Sequence, residues 1–169
     1  VVLSEDNGYR LELEALGRDV LEQTRLAWIN YPHNPTGAGV DLEYLRRQVD
    51  VAREYEILLC ADDCYLDMYF SEHEPPPGIL QITRTGVLSF GSLSKRSGMT
   101  GYRSGYIAGD AKVIAALKRA RPNFGVASPN FVQAAATAAW SDDAHVAERR
   151  AMFGAKRDRL AAFLTHHGY

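Results

Sequence analysis

The sequence predicts an α/β protein with three layers, in which helices cover both faces of a mostly parallel sheet. Two kinds of segment predict this fold. Short apolar runs at 25–31 and 57–61 end at Pro32 and Asp62, as buried strands that lead into loops do. Between them, residues 41–52 start with a capping aspartate and place apolar side chains on one helical face. Strand, helix and strand with short connections form a βαβ unit, whose two strands are parallel.

The rest of the chain continues this alternation. Further strands are predicted at 87–90 and 106–108, and further helices at 110–121, 129–140 and 141–167. Ser128 is the predicted N-cap of the second of these helices, with Pro129 at its first position, and Gly168 ends the third. The chain lacks an initiator Met and stops just after a helical pattern, so we expect a fragment or a trimmed domain of a longer protein.

Composition excludes several classes of function. The chain has 169 residues, enough for one domain, with 46% hydrophobic residues and a formal net charge of -2. No basic run interleaves with aromatic residues, and no apolar stretch approaches ~20 residues, so neither a nucleic-acid partner nor a membrane span is expected. Cys60 and Cys64 lack partners at zinc-ligand spacing, so we expect no metal and two reduced thiols. No signal peptide is visible, which favours a cytoplasmic protein.

Three polar clusters follow predicted parallel strands directly. Asn34 lies after the first strand, Asp62 and Tyr65 after the second, and residues 92–95 after the third. Ligands of open α/β sheets bind beyond the carboxyl ends of the strands. These side chains are therefore expected to meet in one pocket although they are far apart in the sequence.

Lys95 is the residue with the strongest indication of chemistry. It lies in G-S-L-S-K among small residues, and Arg103 follows eight residues later. Small residues let backbone amides and hydroxyls approach a phosphate, and arginine adds a planar charged donor. An isolated lysine here would be an ordinary solvated loop residue, but beside a phosphate site it is a phosphate ligand or a Schiff-base nucleophile.

The other candidates each have a structural explanation as well. Asp62 could cap the next turn or pair with a cationic ring nitrogen. Tyr65 could be a core aromatic residue, and Asn34 could serve only the N-P-T-G turn. Their combination in this order carries more weight than any one of them.

The order N-P-T-G, D-x-x-Y, S-x-S-K and G-x-R-x-G resembles the fold-type I pyridoxal 5'-phosphate (PLP) enzymes. The resemblance is specifically to the class I/II aminotransferases of the aspartate aminotransferase superfamily. The matching segments follow one another in the family's order: 34–37, 62–65, 92–95 and 101–105. The resemblance implies that residues 1–140 are part of the PLP-binding large domain. Residues 141–169 would then start a long helix toward a small domain.

The resemblance also implies a role for each candidate residue. Lys95 would hold the cofactor as a Schiff base and carry protons, and Asp62 would pair with the pyridinium nitrogen. Tyr65 and Asn34 would donate to the phenolic oxygen. The phosphate would be bound by two hydroxyls and a guanidinium, those of Ser92, Ser94 and Arg103. The family's substrate-carboxylate arginine and ring-stacking aromatic are expected outside this chain, so the chain alone is expected to bind PLP weakly and to be inactive.

A finer resemblance is to bacterial N-succinyldiaminopimelate aminotransferases. It rests on Arg96 and Ser97, the PPPG loop and segment 140–146, although Trp140 and His145 could equally be core residues. It implies amino transfer between N-succinyl-LL-2,6-diaminopimelate and glutamate in lysine and diaminopimelate biosynthesis, by a homodimer in the full-length protein.

Several alternatives to this function stay open. Within PLP chemistry, they are an aspartate, aromatic or alanine aminotransferase, or a lyase of the same fold. Outside it, they are a non-catalytic, effector-sensing domain of a regulator and an inert truncated product.

Overall fold

The computed structural model describes residues 2–125 and 127–169. The strands are β1 (Leu26–Ile29), β2 (Leu58–Asp62), β3 (Val87–Ser92) and β4 (Gly105–Gly109). The helices are α1 (Arg18–Gln23), α2 (Leu42–Glu54), α3 (Leu93–Arg96), α4 (Ala111–Ala120), α5 (Asn130–Trp140) and α6 (Ala144–His166). Short 3-10 turns include Leu13–Ala15 and Thr100–Tyr102. The strands and the longer helices predicted from the sequence are confirmed, whereas α1 and the single turn α3 were not predicted.

Within the described residues, the four strands form one sheet in the order β1-β2-β3-β4. The pairs β1–β2 and β2–β3 are parallel, and β4 runs antiparallel to β3, with Gly105 opposite Ser92. The predicted α/β class with a mostly parallel sheet is therefore confirmed. The carboxyl ends of β1, β2 and β3 lie at the same edge, which is also where β4 begins.

Helix α2 covers one face of this sheet. Its N-cap is Asp41, whose carboxylate accepts the amide of Tyr44 at 2.7 Å, as the sequence predicted. Leu45 and Val49 from its apolar side share one buried cluster with strand residues such as Leu59. Burying a side chain of this size stabilises the fold by roughly 1.5–3 kcal/mol, so this contact anchors β2 in the centre of the sheet.

The opposite face of the sheet is aromatic near its carboxyl edge. Trp28 of β1 packs against Phe90 of β3 with ring centroids 4.6 Å apart, and Trp28 is still 49% exposed. Asp62 pairs in register with Phe90, so its side chain points to this same face. A carboxylate therefore lies beside an aromatic surface.

Two helix starts differ from the sequence prediction. Pro129 is the N-cap of α5 and the helix begins at Asn130, so the prediction that Ser128 caps it was wrong. The last helix begins at Ala144 with Asp143 as N-cap, not at 141, because the chain turns after α5 before a new helix starts. Its end is as predicted, with Gly168 in the left-handed conformation at φ 81°.

The described residues were also searched for a membrane-spanning helix and for a cluster of metal ligands. None of the helices there is both long and apolar enough to cross a membrane. No three His, Cys, Asp or Glu side chains of residues 2–125 and 127–169 are grouped as a metal site.

Candidate active site

The loop after β1 is joined to the end of β2 by Asn30, which the sequence analysis did not single out. Its side-chain amide donates to the Asp62 carbonyl at 2.9 Å, and its side-chain oxygen accepts the Asn34 backbone amide at 2.9 Å. The exposed Asn34 is therefore held near the end of β2. A polar residue directly after an apolar strand was the signal that could have identified Asn30.

Asp62 is the last residue of β2 and is partly buried. Its carboxylate accepts the backbone amide of Cys64 at 3.2 Å, which fixes the turn that leads to Tyr65. Burial, and then the hydrogen bond and charge of Asp62, raise the pKa of the Cys64 thiol to about 12, while the charge of Lys95 opposes this shift. The thiol is thus neutral at physiological pH and is a poor nucleophile.

Lys95 lies on α3, a single helical turn that begins directly after β3. Ser92 caps this turn by accepting the Ser94 amide at 3.1 Å. The fully buried Leu93 anchors it, and the Leu93 amide donates to the Ser104 carbonyl at 3.1 Å. The Lys95 amine is exposed and lies 5.7 Å from the centre of the Tyr65 ring. Two residues that are 30 positions apart in the sequence are therefore within cation–π distance.

Arg103 is exposed and has a left-handed backbone conformation, with φ 50°. In the described part of the chain, its guanidinium donates to the Thr100 carbonyl at 3.0 Å and not to the hydroxyls of Ser92 or Ser94. The neighbouring Ser104 is nevertheless bonded to the start of α3. The structure thus gathers the predicted residues at one edge, but it leaves the arginine turned into its own loop.

A buried carboxyl beside the site was missed by the sequence analysis. Asp63 is 8% exposed, and its side chain accepts a short hydrogen bond from the Ser89 hydroxyl. The Tyr106 hydroxyl is 3.5 Å from the same Ser89 oxygen. Burial raises the pKa of Asp63 to about 6, and the neighbouring charge of Asp62 adds to this rise. Asp63 therefore packs the interior behind the site while Asp62 faces the edge.

Comparison with known proteins identifies the family. The chain matches the family model "Aminotransferase class I and II" over residues 1–169. The chain belongs to this family. The resemblance to class I/II aminotransferases found in the sequence motifs is thereby confirmed.

Individual relatives agree with this family. An LL-diaminopimelate aminotransferase of Aquifex aeolicus is 37% identical over 125 residues, which cover 73% of this chain and 32% of the relative. A probable aminotransferase of Mycobacterium tuberculosis is 35% identical over 94% of this chain and 39% of its own length. The chain thus spans about a third to two fifths of the length of these relatives.

Solved structures share the fold as well. An aminotransferase from Neisseria meningitidis superposes with a TM-score of 0.87 at 32% identity, covering 94% of this chain and 42% of that one. An N-succinyldiaminopimelate aminotransferase from Mycobacterium tuberculosis gives a TM-score of 0.77 at 31% identity, covering 91% and 42%.

Proposed function

We propose that this chain carries the cofactor-binding and catalytic residues of a PLP-dependent aminotransferase, which moves an amino group between an amino acid and a 2-oxo acid. The observation that carries the proposal is the meeting of Asp62, Tyr65 and Lys95 at one edge of the sheet. A carboxylate, a phenol and an exposed amine in this order match the polar groups of one substituted pyridine ring.

The chemistry of the surrounding residues fits this cofactor. The Asp62 carboxylate lies on the aromatic face formed by Trp28 and Phe90, which suits a flat ring with a cationic nitrogen. Ser92 and Ser94 place two hydroxyls at the N-terminus of the turn that bears Lys95. Hydroxyls and a guanidinium are the usual donors to a phosphate group.

In this proposal, PLP supplies the sink for the electrons released at the substrate Cα. Lys95 would hold the cofactor between turnovers, and its Nζ would take the Cα proton and return it at the cofactor's C4' carbon. Asp62 would keep the ring nitrogen protonated, since an opposite charge at close range moves a pKa by ~1–3 units. Tyr65 and Asn34 would donate to the phenolic oxygen. The phosphate would be held by Ser92, Ser94 and Arg103.

In the proposed reaction, N-succinyl-LL-2,6-diaminopimelate gives its amino group to 2-oxoglutarate, which becomes glutamate. In the reverse direction glutamate is the amino donor. Support comes from the relatives described above, which include an LL-diaminopimelate aminotransferase and an N-succinyldiaminopimelate aminotransferase. Transfer rates of the full-length parent protein with the succinylated compound, free LL-diaminopimelate and aspartate, each with 2-oxoglutarate as the amino acceptor, would separate the candidates. A higher kcat/KM with either of the latter two would refute the substrate assignment and leave the reaction class standing.

The division into domains is part of the same proposal. Residues 1–140 would belong to the PLP-binding domain and residues 141–169 to a helix that leads to a smaller domain. Helix α6 has 23 residues, about 35 Å of helix, and its Leu160 and Phe163 side chains are exposed. We further propose a homodimer in the cytoplasm.

The cofactor assignment is tested by trapping. The purified chain is incubated with PLP, reduced with borohydride and mapped by peptide mass. The expected result is a label on Lys95, with the other three lysines of the sequence, Lys112, Lys118 and Lys156, as internal controls. A label spread equally over the four lysines would refute the assignment.

A matched pair of variants tests Asp62. Asp62→Asn keeps the shape and removes the charge, so the ratio of protonated to neutral bound PLP should fall by about 10- to 1000-fold, as a shift of ~1–3 pKa units implies. Asp50→Asn, an exposed carboxylate on α2, should leave the absorbance of bound PLP unchanged. Equal spectra for the two variants would contradict the role of Asp62.

A further inference from the structure

The residue that follows Lys95 is a buried arginine. The Arg96 side chain is only 6% exposed, whereas Lys95 is exposed. Successive residues of a helix point about 100° apart, so the single turn of α3 directs one cation to the surface and the other inward. The two neighbouring cations therefore lie in different surroundings.

Arg96 is bonded to the junction between α5 and α6. Its Nη1 donates to the carbonyls of Ala139, at 2.9 Å, and Asp142, at 3.4 Å, and its Nη2 donates to the Asp143 carboxylate in a short contact. Its guanidinium lies 5.0 Å from the centre of the Trp140 ring. On the other side, its Nε is 3.3 Å from the Asp67 carboxylate. A buried charge is thus surrounded by compensating groups.

Arg96 contacts two helix ends, where backbone groups lack hydrogen-bond partners within the helix. Ala139 lies in the last turn of α5, whose carbonyls have no partner within the helix and carry partial negative charge. Asp143 is the N-cap of α6, yet its side chain makes no capping bond and pairs with Arg96. One guanidinium therefore joins the end of α5, the start of α6 and α3.

A second bond reinforces this connection. Ser97, directly after α3, lies 2.9 Å from the His145 Nε2 in the first turn of α6. The other ring nitrogen of His145 is 3.0 Å from the Asp142 carboxylate. We call Arg96, Ser97, Asp143 and His145 the α3 clamp.

We propose that Arg96 is a positioning residue for Lys95, which fixes the amine relative to Tyr65 and Asp62. The inference rests on the proposed function for its catalytic meaning. One isolated turn of helix is unstable in water, so α3 keeps its place only through tertiary contacts. The clamp attaches α3 to α5 and α6, and the buried Leu93 anchors the same turn. The position of the Lys95 amine therefore depends on the contacts that hold Arg96.

A matched control exists for the loss of a buried arginine. The Arg150 side chain is 10% exposed, donates twice to Glu72 at 2.7 and 2.8 Å, and stacks 4.2 Å from the centre of the Tyr69 ring. It joins α6 to the segment after β2 and makes none of the clamp contacts. Arg96→Met and Arg150→Met should lower the melting temperature to a similar degree.

The first measurement needs no cofactor. Lysines of each variant are reductively methylated with 13C, and the Lys95 resonance is assigned with Lys95→Arg. Lys156 lies 5.6 Å from the centre of the Phe153 ring, so its resonance is not used as a reference. In the parent chain the Tyr65 ring should shift the Lys95 resonance away from those of Lys112 and Lys118. Arg96→Met should move the Lys95 resonance to the position of the reference lysines. Arg96→Lys should leave it between that position and the parent's, and Arg150→Met should leave it unchanged. An unchanged Lys95 resonance in folded Arg96→Met would overturn the proposal.

The second measurement is the rate of PLP trapping at Lys95. It should fall on the order of tenfold or more in Arg96→Met, because a displacement near 1 Å has effects of this size, and stay unchanged in Arg150→Met. If the parent chain traps PLP equally on all lysines while the resonance still depends on Arg96, the proposed function fails and the positioning of the amine stands. If Arg96→Met does not fold, Asp143→Asn carries the same test. Asp143 is 92% exposed and folding should tolerate its change, and an unshifted resonance there would overturn the proposal.

Discussion

The buried carboxyl group of Asp63 should make the stability of the protein depend on pH. Its carboxyl is buried against the Ser89 hydroxyl, and burial, with the nearby charge of Asp62, raises its pKa from 3.8 to about 6. Between these two pH values the folded protein keeps a proton that the unfolded chain has released. The folded state thus binds more protons in this window, and the free energy of unfolding falls as the pH rises through it.

The size of this effect follows from the shift. About two pKa units at about 1.4 kcal/mol each amount to about 3 kcal/mol of stability, lost between about pH 4 and about pH 6. Asp63→Asn keeps an oxygen that accepts the Ser89 hydrogen bond but cannot ionise. We therefore expect this variant to be more stable than the parent by up to about 3 kcal/mol near pH 7, and to match it near pH 4 apart from a constant offset. For a chain of this size that is roughly 6–12 °C in melting temperature.

Thermal and urea unfolding at a series of pH values measure this difference. Asp50→Asn is the control, because that carboxylate is exposed on α2 and its removal should give a nearly flat difference curve. A stability gap between Asp63→Asn and the parent that does not change from about pH 4 to about pH 7 would refute the reasoning. So would a gap that shrinks as the pH rises.

Three further predictions concern the scaffold. In Gly109→Ala, the added Cβ would lie 2.1 Å from the Val87 carbonyl in a backbone with φ 144°, so the β3–β4 pair should lose about 2–4 kcal/mol, measured by urea unfolding. In Tyr44→Phe, the hydroxyl that donates to the Leu11 carbonyl at 2.5 Å is lost, and unfolding should become easier by about 1–2 kcal/mol. In Asp41→Ala, the cap of α2 is lost, with an expected cost of about 1 kcal/mol and faster amide exchange in the first turn of that helix.

Each of these variants has a control in the same chain. Gly101→Ala adds a methyl group where nothing lies within 4 Å, Tyr102→Phe changes an exposed tyrosine, and Asp50→Ala removes a carboxylate away from any helix N-terminus. All three should stay within about 0.5 kcal/mol of the parent. A control that loses as much stability as its partner would show that the named contact is not the cause.

The sequence predicted the parts of the fold that depend on neighbours along the chain. The helix at 41–52 was recognisable because a cap and an apolar period lie within a few residues of each other, and the structure has it at Leu42–Glu54. The β1–β2 pair is parallel as predicted, since a helix between two strands allows that direction. The antiparallel direction of β4 was not predicted, because its pairing with β3 is not encoded in either strand alone.

The candidate site divides in the same way. Asp62, Tyr65 and Lys95 were found from the sequence because each belongs to a short motif whose residue types suit one ligand, and the structure places them together. Their catalytic and binding roles, with those of Asn34 and Arg103, stay predictions. So do the domain division, the dimer and the location in the cell.

By itself, the sequence determined the order of the four strands and the longer helices, and it carried the family motifs and the candidate amine and carboxylate at the strand ends. The tertiary structure alone decided which residues support them. Asn30 bonds to Asp62 across 32 positions, and Arg96 bonds to Asp143 across 47. Such contacts depend on how two segments that are far apart in the sequence pack against each other, and a local sequence pattern does not contain that information.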